Sequence, residues 1–177
     1  MSNPPAVRTA LVAGATGAVG KLLLERLLAD ARYGRVKVLT RRPLAQNHPK
    51  LEALTLDDTG PALLGAKLAA DDVFCCLGTT LKKAGSKAAF ERVDYHLVLE
   101  LARAARAQGA EQFLVVSSVG ASLKAGSFYL RVKARMEQAV QELPVDEHSA
   151  THAGADGDVD ERIGVLTRAT RKVRNTS

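Results

Sequence analysis

A serine pair, a tyrosine and a lysine in the second half of the chain are residue types that together could do chemistry. Ser117 and Ser118 end an apolar run, and Tyr129 and Lys133 stand four positions apart in the helical pattern that follows. Residues with this spacing share a helix face. A nearby ammonium favours the ionised form of a tyrosine, which makes the phenol a usable acid or base near neutral pH, while a serine hydroxyl can hydrogen-bond a carbonyl oxygen. The pattern predicts a carbonyl-reduction site with Ser118, Tyr129 and Lys133 as catalytic residues.

Two alternatives accompany this prediction. Ser117 and Ser118 lie 12 and 11 positions before Tyr129, and the sequence does not choose between them. A tyrosine and a lysine at this spacing are also common by chance, so a helix tyrosine beside a solvated lysine is the competing interpretation. The serine-ended strand that precedes them favours catalysis.

A glycine-rich segment near the start of the chain predicts a nucleotide-binding turn. Its sequence is Gly-Ala-Thr-Gly-Ala-Val-Gly, and it lies between the first short apolar run and the first helical pattern. In that place, backbone N–H groups and the N-terminus of a helix can hold a pyrophosphate. The alternative is a glycine turn with a structural role only. The predicted cofactor contacts are Gly14, Thr16, Gly17, Ala18, Val19 and Gly20.

The end of the second predicted strand indicates which dinucleotide would bind. A site that prefers NAD would place an acidic residue there, but the chain has Thr40, Arg41 and Arg42. Two guanidiniums can pair with a ribose 2′-phosphate, so the cofactor predicted is NADPH/NADP+ in preference to NAD. A solvated basic loop is the alternative for the arginines. Asp57, after the third strand, could accept from the adenine amino group or cap the next helix.

The end of the fourth predicted strand is a further candidate for cofactor contact. Leu77, Gly78 and Thr79 lie there, at the carboxyl edge where doubly wound sheets bind ligands, and the glycine permits close backbone approach. Lys82 and Lys83 follow, and a solvated loop is the favoured interpretation of that pair.

Alternating apolar runs and helical patterns place these motifs on one parallel sheet. A parallel crossover needs a dozen or more residues and is right-handed, which suits the spacing between the runs. The fold class predicted is therefore α/β, a Rossmann-type doubly wound parallel sheet with helices on both faces. The predicted strands cover residues 9–15, 36–40, 51–56, 73–77 and 113–118, and the helices cover 19–28, 87–108 and 127–143.

Composition excludes several other classes of protein. The chain has 177 residues, 46% hydrophobic and 25% charged, which suits one globular domain. No apolar run reaches 18 residues and the first eight residues lack a signal-peptide core, so a cytoplasmic protein without a membrane span is expected. The formal charge of +6 is scattered among acids without interleaved aromatics, so nucleic-acid binding is not expected.

Cysteine and histidine usage predicts no metal site. Cys75 and Cys76 are adjacent, and neighbours on a strand point to opposite faces, so they suit neither a disulfide framework nor a zinc site. A pair of buried thiols is the favoured interpretation. No histidine combines ligand spacing with a regular helical setting; the four are His48, His96, His148 and His152.

Over residues 7–143 the chain resembles the short-chain dehydrogenase/reductase superfamily, and more closely its atypical NADPH-binding branch. The resemblance rests on the glycine turn, the paired arginines, the strand end before Thr80, the Arg-Val-Asp sequence that ends at Asp94, and the Tyr-Leu-Arg-Val-Lys sequence that ends at Lys133. It implies that Tyr129 is the proton donor, that Lys133 orients the nicotinamide ribose and tunes Tyr129, and that Ser118 or Ser117 polarises a carbonyl. It also implies poorly defined substrates and, for some members, regulation through protein partners.

The chain departs from this family after residue 143. Relatives would continue with an apolar sixth strand and a substrate-covering segment, whereas a polar stretch begins here at Pro144. We therefore expect a Rossmann domain over residues 1–143, a loosely ordered tail over 144–177, no recognisable sixth strand, and a short basic helix over 163–173. The bare sheet edge that results would favour self-association.

Two functions follow from these observations. The first is an NADPH-dependent oxidoreductase that reduces a small aldehyde or ketone, whose identity the residues do not specify. The second is a catalytically weak NADPH-sensing protein that acts through a protein partner.

Overall fold

Six parallel strands form the sheet of this chain. The structure is a computed structural model that describes residues 7–56, 60–143 and 163–167. The strand order is β3-β2-β1-β4-β5-β6, and every neighbouring pair is parallel. The doubly wound parallel sheet expected from the sequence is confirmed. The strands are β1 (Arg8–Ala13), β2 (Tyr33–Thr40), β3 (Leu51–Thr55), β4 (Asp72–Cys75), β5 (Gln112–Ser117) and β6 (Ile163–Thr167).

The helices connect these strands and cover the sheet. The predicted helix over residues 87–108 is continuous along the chain but consists of three pieces, with a π-helical turn at Arg92–His96 between two α-helical pieces. A 3₁₀ segment with a kink at Gly65 lies between β3 and β4 and spans Pro61–Leu68. The α-helices are α1 (Ala18–Ala29), α2 (Leu81–Ala84), α3 (Lys87–Glu91), α4 (Leu97–Ala107) and α5 (Phe128–Gln141).

Each face of the sheet has its own hydrophobic core. Successive strand residues point to opposite faces, so Val12 of β1 packs towards α1 while its neighbour Leu11 packs towards α4 and α5. Both residues are completely buried. The helices therefore cover both faces, as a parallel sheet requires. The α1 side also contains Leu24, Leu28, Val36 and Val38, and the α4–α5 side also contains Val73, Val98, Val115, Met136 and Val140.

The prediction that no sixth strand exists is wrong. Ile163–Thr167 forms β6 and pairs with β5 in parallel, with Phe113 opposite Ile163 and Ser117 opposite Thr167. A five-residue stretch of mainly apolar and β-branched residues suits a strand, and the backbone groups on the open side of β5 need partners. Residues 163–167 of the short helix expected over 163–173 form this strand instead, while residues 168–173 lie outside the described residues. The strand removes the bare β5 edge from which self-association was expected. Residues 144–162, expected to be loose, lie outside the described residues.

The strand order brings the candidate site residues to one edge of the sheet. From β1, the chain adds β2 and β3 on one side and then crosses back to add β4, β5 and β6 on the other. All six carboxyl ends lie at the same edge, and the crevice at such a reversal is where open α/β sheets bind ligands. The glycine turn follows β1 in the centre, the paired arginines follow β2 on one side, and Gly78 and Ser118 follow β4 and β5 on the other.

Candidate active site

The glycine turn packs closely against the end of β4 at Gly14. Its φ of +80° lies in the left-handed region, which glycine adopts without strain. A Cβ at this position would lie 2.5 Å from the carbonyl oxygen of Cys76 and 2.9 Å from the backbone nitrogen of Leu77. Two of the predicted cofactor-contacting segments, 14–20 and 77–79, are therefore in direct backbone contact.

The N-terminus of α1 has the properties of an anion site. Gly17 is the N-cap and provides no side-chain hydrogen bond, and the first turn of α1 contains no acidic residue. Thr16, Gly17 and Ala18 are exposed, and Val19 is half-buried. Gly20 is buried, and a Cβ there would overlap the Gly14 carbonyl oxygen and lie 2.8 Å from the Ala15 Cα. These features fit a dinucleotide pyrophosphate, because the first N–H groups of the helix have no side-chain competitor for it.

The paired arginines are exposed beside this turn. The Thr40 hydroxyl donates to the Arg42 carbonyl oxygen at 2.7 Å and accepts from the Arg42 backbone N–H at 3.2 Å, which fixes the bend after β2. Within the described part of the chain neither guanidinium forms an ion pair, so the charge on Arg41 and Arg42 has no protein partner there. Asp57, assigned to the adenine amino group or to a helix cap, lies outside the described residues.

A buried ion pair lies directly beneath the end of β4. Lys133 Nζ is 2.8 Å from Asp94 Oδ1, and the two side chains are only 4% and 0% exposed. The second carboxylate oxygen of Asp94 accepts from the Thr79 backbone N–H at 2.8 Å. A Cβ at Gly78 would lie 3.5 Å from the Asp94 carboxylate and 3.8 Å from the Lys133 ammonium. Asp94 thus connects the predicted cofactor segment 77–79 to the predicted catalytic lysine.

Asp94 is the residue whose role sequence reasoning missed. It contributed to the family resemblance without an assigned function, and it lies in the π-helical turn Arg92–His96. A signal was present, because Phe90, Asp94 and Val98 follow each other at four-residue spacing along the face that packs on the sheet. A carboxylate in a buried apolar stripe needs a charged or hydrogen-bonding partner.

Tyr129 is held at the start of α5 by aromatic packing. Its ring centroid lies 5.6 Å from that of Phe90, and the Phe128 ring lies 5.9 Å from the same residue. Phe90 is completely buried, so it is a fixed contact for both rings. Arg131 Nη1 donates to the carbonyl oxygens of Ala125 and Gly126, at 2.8 and 2.9 Å, and ties the preceding loop to the helix.

The two serines occupy different environments. Ser117 is the last residue of β5, is buried on the α4–α5 face, and its Oγ has no hydrogen-bond partner in the described structure. Ser118 lies just past the strand and is half-buried, with its Oγ 3.5 Å from the carbonyl oxygen of Val119. Ser118 is therefore the serine whose hydroxyl is accessible from the crevice edge.

Cys75 is a buried thiol at the same end of β4. It is completely buried, and burial raises the pKa of its thiol to about 12, although the Leu77 backbone N–H offsets part of the shift. Cys76 is half-buried, and burial raises the pKa of its thiol to about 11. Both cysteines are free. The expected buried thiol is thus confirmed for Cys75, whereas Cys76 is only half-buried.

We expect these thiols to make the folded state less stable in alkali. The ordinary thiol pKa is 9.0, whereas folded Cys75 keeps its proton to about pH 12. The stabilisation is therefore complete below pH 9 and is lost as the pH rises towards 12. At about pH 10.5, the wild type should lose about 2 kcal/mol of unfolding free energy through Cys75 alone.

Urea unfolding followed by circular dichroism at about pH 7.5 and about pH 10.5 measures this effect. The drop should be smaller in Cys75→Ala than in the wild type, and Cys76→Ala, with its smaller pKa shift, should fall between them. An equal drop in Cys75→Ala and the wild type would contradict the assignment.

The histidines and acidic residues of the described chain form no metal site. Across residues 7–56, 60–143 and 163–167, no three His, Cys, Asp or Glu side chains are grouped to hold a metal ion. His96 is exposed and contacts Tyr95 edge-on at 5.0 Å, while His148 and His152 lie outside the described residues. In the same part of the chain, no helix has the length and apolar character needed to cross a membrane.

Comparison with known proteins shows the family. A family model described as NAD(P)H-binding matches residues 14–156, which include the glycine turn, the paired arginines, Asp94 and α5. The chain belongs to this NAD(P)H-binding family. It is 37% identical over 155 residues to protein HTATIP2 of Rattus norvegicus, covering 83% of this chain and 62% of that protein. It is 33% identical over 142 residues to the mitochondrial protein FMP52 of Chaetomium globosum, covering 77% of this chain and 61% of that protein.

Solved structures share the fold of this NAD(P)H-binding chain. MoeE5 in complex with UDP-glucose and NAD superimposes with a TM-score of 0.61 at 20% identity, covering 90% of this chain and 52% of that one. A mutant of uronate dehydrogenase from Agrobacterium tumefaciens, complexed with NAD, gives 0.62 at 18% identity, covering 77% and 56%. The expected resemblance is confirmed at the level of an NAD(P)H-binding family that shares the fold of these NAD complexes. The chain spans somewhat over half the length of these relatives.

Proposed function

We propose that the chain binds NADP(H) and reduces a small aldehyde or ketone, with Tyr129 as the proton donor. One observation carries this proposal: the helix with Tyr129 is joined through Lys133 and Asp94 to Thr79, in the segment whose backbone contacts the glycine turn at Gly14. A predicted catalytic pair and a predicted cofactor turn are thereby parts of one connected site. The NAD(P)H-binding family supports the cofactor class.

Residues on the two sides of β1 would bind different halves of the cofactor. The N-terminus of α1 would hold the pyrophosphate, and Arg41 and Arg42 would pair with the 2′-phosphate on the β2 side. Gly78, Thr79 and Lys133 would contact the nicotinamide half on the β4 side. When bound, NADPH supplies the hydride that the carbonyl carbon accepts.

The protein side of the reaction is proton transfer and orientation. Tyr129 would give its hydroxyl proton to the carbonyl oxygen, and the Lys133 charge would stabilise the phenolate that remains. The Ser118 hydroxyl would donate a hydrogen bond to the same oxygen. Leu81 is exposed at the start of α2, and Val119 and Leu123 are exposed on the loop after β5. These apolar side chains favour a substrate whose carbonyl is attached to an apolar body.

Thermal unfolding of the chain with NADPH, NADH or neither tests the cofactor proposal, followed by NADPH oxidation with a panel of small aldehydes and ketones. A ligand at about a hundred times its Kd adds about 2.7 kcal/mol, which shifts the transition visibly. Stabilisation by NADPH above NADH, together with turnover of a carbonyl, is the expected result. Stabilisation without turnover would favour the cofactor-sensing function that acts through a partner, and no stabilisation would overturn both.

Removal of the paired arginines should specifically weaken NADPH binding. We expect Arg41→Ala/Arg42→Ala to raise the Kd for NADPH by about tenfold or more and to leave that for NADH unchanged, because charge-assisted hydrogen bonds to the 2′-phosphate are lost. Lys82→Ala/Lys83→Ala removes the same charge from exposed positions on α2 and is the matched control. An unchanged NADPH Kd in the arginine variant, or an equal loss in the lysine variant, would contradict the assignment.

The cytoplasmic location expected from the sequence stays a prediction. The fungal relatives are named as mitochondrial proteins, so they do not support the cytoplasmic location. Fractionation of cells that express the tagged chain would assign it.

A further inference from the structure

Cationic side chains line the β4 and β5 side of the carboxyl edge. Residues 76–90, which follow β4, and residues 118–131, which follow β5, contain no Asp or Glu. The lysines among them are exposed and the arginine is half-buried. Across the described residues, none of these five side chains forms an ion pair. We call them the cationic rim: Lys82, Lys83, Lys87, Lys124 and Arg131.

The opposite edge of the sheet has a different charge pattern. There Arg8 contacts Asp72 at 2.7 Å and Glu111 at 2.9 Å, and Arg32 contacts Asp30 at 2.7 Å. Basic side chains at that edge therefore have acidic partners within the protein. The unpaired charge of the cationic rim is a property of the β4 and β5 side of the carboxyl edge.

The first acidic residues after 76–90 do not neutralise the rim. Glu91 is paired with Arg135 at 2.7 Å, and Asp94 is paired with Lys133 at 2.8 Å. Both basic partners lie outside the rim. Neither carboxylate is therefore available to the rim lysines.

The proposed cofactor leaves the rim without a counterion as well. NADPH carries its negative charge on the pyrophosphate and the 2′-phosphate, which would bind at the N-terminus of α1 and at Arg41 and Arg42. The part that would lie on the β4 side, the nicotinamide with its ribose, has no anionic group. A cleft lined by one sign of charge raises the local concentration of ligands of the opposite sign. The rim thus indicates a second anion, and the substrate is the other ligand that this crevice would hold.

Lys87 connects the rim to the proposed proton donor. Its Nζ lies 5.2 Å from the centroid of the Phe128 ring. Phe128 and Tyr129 both pack on Phe90, with ring centroids at 5.9 and 5.6 Å. A cation–π contact uses the face of the ring and leaves the ammonium N–H groups for an anion. A positive charge thus lies close to the residue that would donate the proton.

The donors of the rim indicate which anion it suits. Arg131 Nη1 donates to the carbonyl oxygens of Ala125 and Gly126, so the planar guanidinium is partly occupied by the loop. The other rim groups are exposed ammonium groups, which act as point charges and lack the fork geometry that favours bidentate binding of phosphate. A carboxylate monoanion requires only one such contact.

Apolar residues accompany the rim lysines. Leu81 directly precedes Lys82 and Leu123 directly precedes Lys124, and both leucines are exposed. We propose that the substrate is an aldehyde or ketone whose apolar body ends in a carboxylate, and that the cationic rim binds this carboxylate. This inference rests on the proposed function, because it specifies the substrate class of the same site. The carboxylate takes no part in the reduction: the carbonyl carbon receives the hydride, the carbonyl oxygen receives the proton of Tyr129, and the product is the corresponding hydroxy acid.

Matched acid and ester substrates measure the effect of the carboxylate. 9-Oxononanoate and 4-formylbenzoate place a carboxylate at two distances from an aldehyde, and their methyl esters keep the aldehyde and the apolar body without the charge. NADPH oxidation gives kcat/KM for each compound. For at least one pair we expect the acid to exceed the ester by about tenfold at about 50 mM salt. The ratio should fall as the salt approaches about 500 mM, because interactions between exposed charges are screened.

Two double variants separate the rim from the net charge of the protein. Lys87→Gln/Lys124→Gln removes two charges from the rim and should lower the acid-to-ester ratio by about fivefold or more, with the Kd for NADPH within about twofold. Lys67→Gln/Arg103→Gln removes two charges from exposed positions on the 3₁₀ segment and on α4. This matched control should keep the wild-type ratio.

The outcomes distinguish this inference from the proposed function. If the wild type reduces the esters as well as the acids, or if the rim variant keeps the wild-type ratio, the carboxylate site is overturned while carbonyl reduction stands. A rim variant that weakens NADPH binding would assign these cations to the cofactor and would also overturn the carboxylate site. If NADPH binds but no aldehyde or ketone is reduced, carbonyl reduction fails and the inference fails with it.

Discussion

Gly20→Ala is expected to lower the free energy of unfolding by about 3 kcal/mol and to abolish NADPH binding. The added Cβ would overlap the Gly14 carbonyl oxygen and lie 2.8 Å from the Ala15 Cα, and both neighbours are backbone atoms that no rotamer change can move. The turn would have to separate from α1, which displaces the N–H groups that are proposed to hold the pyrophosphate. Urea unfolding and NADPH titration measure the two effects.

Gly17→Ala is the matched control for this change. A Cβ at Gly17 has only the Gly14 carbonyl oxygen near it, at 3.4 Å, and the backbone there is extended at φ −77°. We expect a loss of stability within about 1 kcal/mol, because alanine is a poorer N-cap than glycine but fits the conformation. NADPH affinity should fall in this variant without unfolding, since Gly17 is exposed at the proposed pyrophosphate position. Wild-type stability in Gly20→Ala would refute the close packing on which the prediction rests.

Tyr129→Phe should reduce carbonyl turnover by about 10²-fold to 10⁴-fold while it leaves the Kd for NADPH within about twofold. The substitution removes only the hydroxyl, and the ring keeps its contact with Phe90 at a centroid distance of 5.6 Å. The proton donor is therefore lost without a change in the packing at the start of α5. NADPH oxidation with the best carbonyl of the panel measures the effect.

Tyr95→Phe is the corresponding control. The Tyr95 ring packs under the Arg135 guanidinium at 5.0 Å and against His96, and nothing in the proposed mechanism uses its hydroxyl. This variant should turn over at the wild-type rate. If Tyr129→Phe retained wild-type turnover, another group would have to supply the proton, and the role proposed for Tyr129 would be excluded.

The elements that follow simple periodicity were predictable from the sequence. The first strand, the glycine turn and α1 were expected in order, and the strand ends at Ala13 because Gly14 turns the chain at a positive φ. The candidate residues were expected at one edge because the carboxyl ends of parallel strands meet there. The strand order alone determines this placement, and no side-chain contact is needed for it.

The connection between Lys133 and the end of β4 could not be predicted in the same way. An apolar stripe at four-residue spacing is the same for α-helix and for a helix with one π turn, so the pattern over 87–108 indicated a continuous helix. The partner of Asp94 lies 39 positions further along the chain, on α5. Such a pairing depends on how two helices pack on the sheet, which local spacing does not contain.

The sixth strand was missed for a different reason. Ile163–Thr167 contains five residues in a polar surrounding, and its stabilisation comes from the neighbouring strand rather than from its own composition. Strand propensity depends strongly on such context. The sequence has no long apolar run directly after α5 that would have indicated this strand.

The strand register implies an order in which the crevice assembles during folding. Ala10 of β1 pairs with Val36 of β2, 26 positions along the chain, but with Asp72 of β4 only after 62 positions. Pairings between distant segments must close longer loops before they gain contacts, and they form more slowly. We therefore expect the half of the crevice that contains the paired arginines to form from early, local pairings, and the half that contains Asp94 and Lys133 to form with the slower ones.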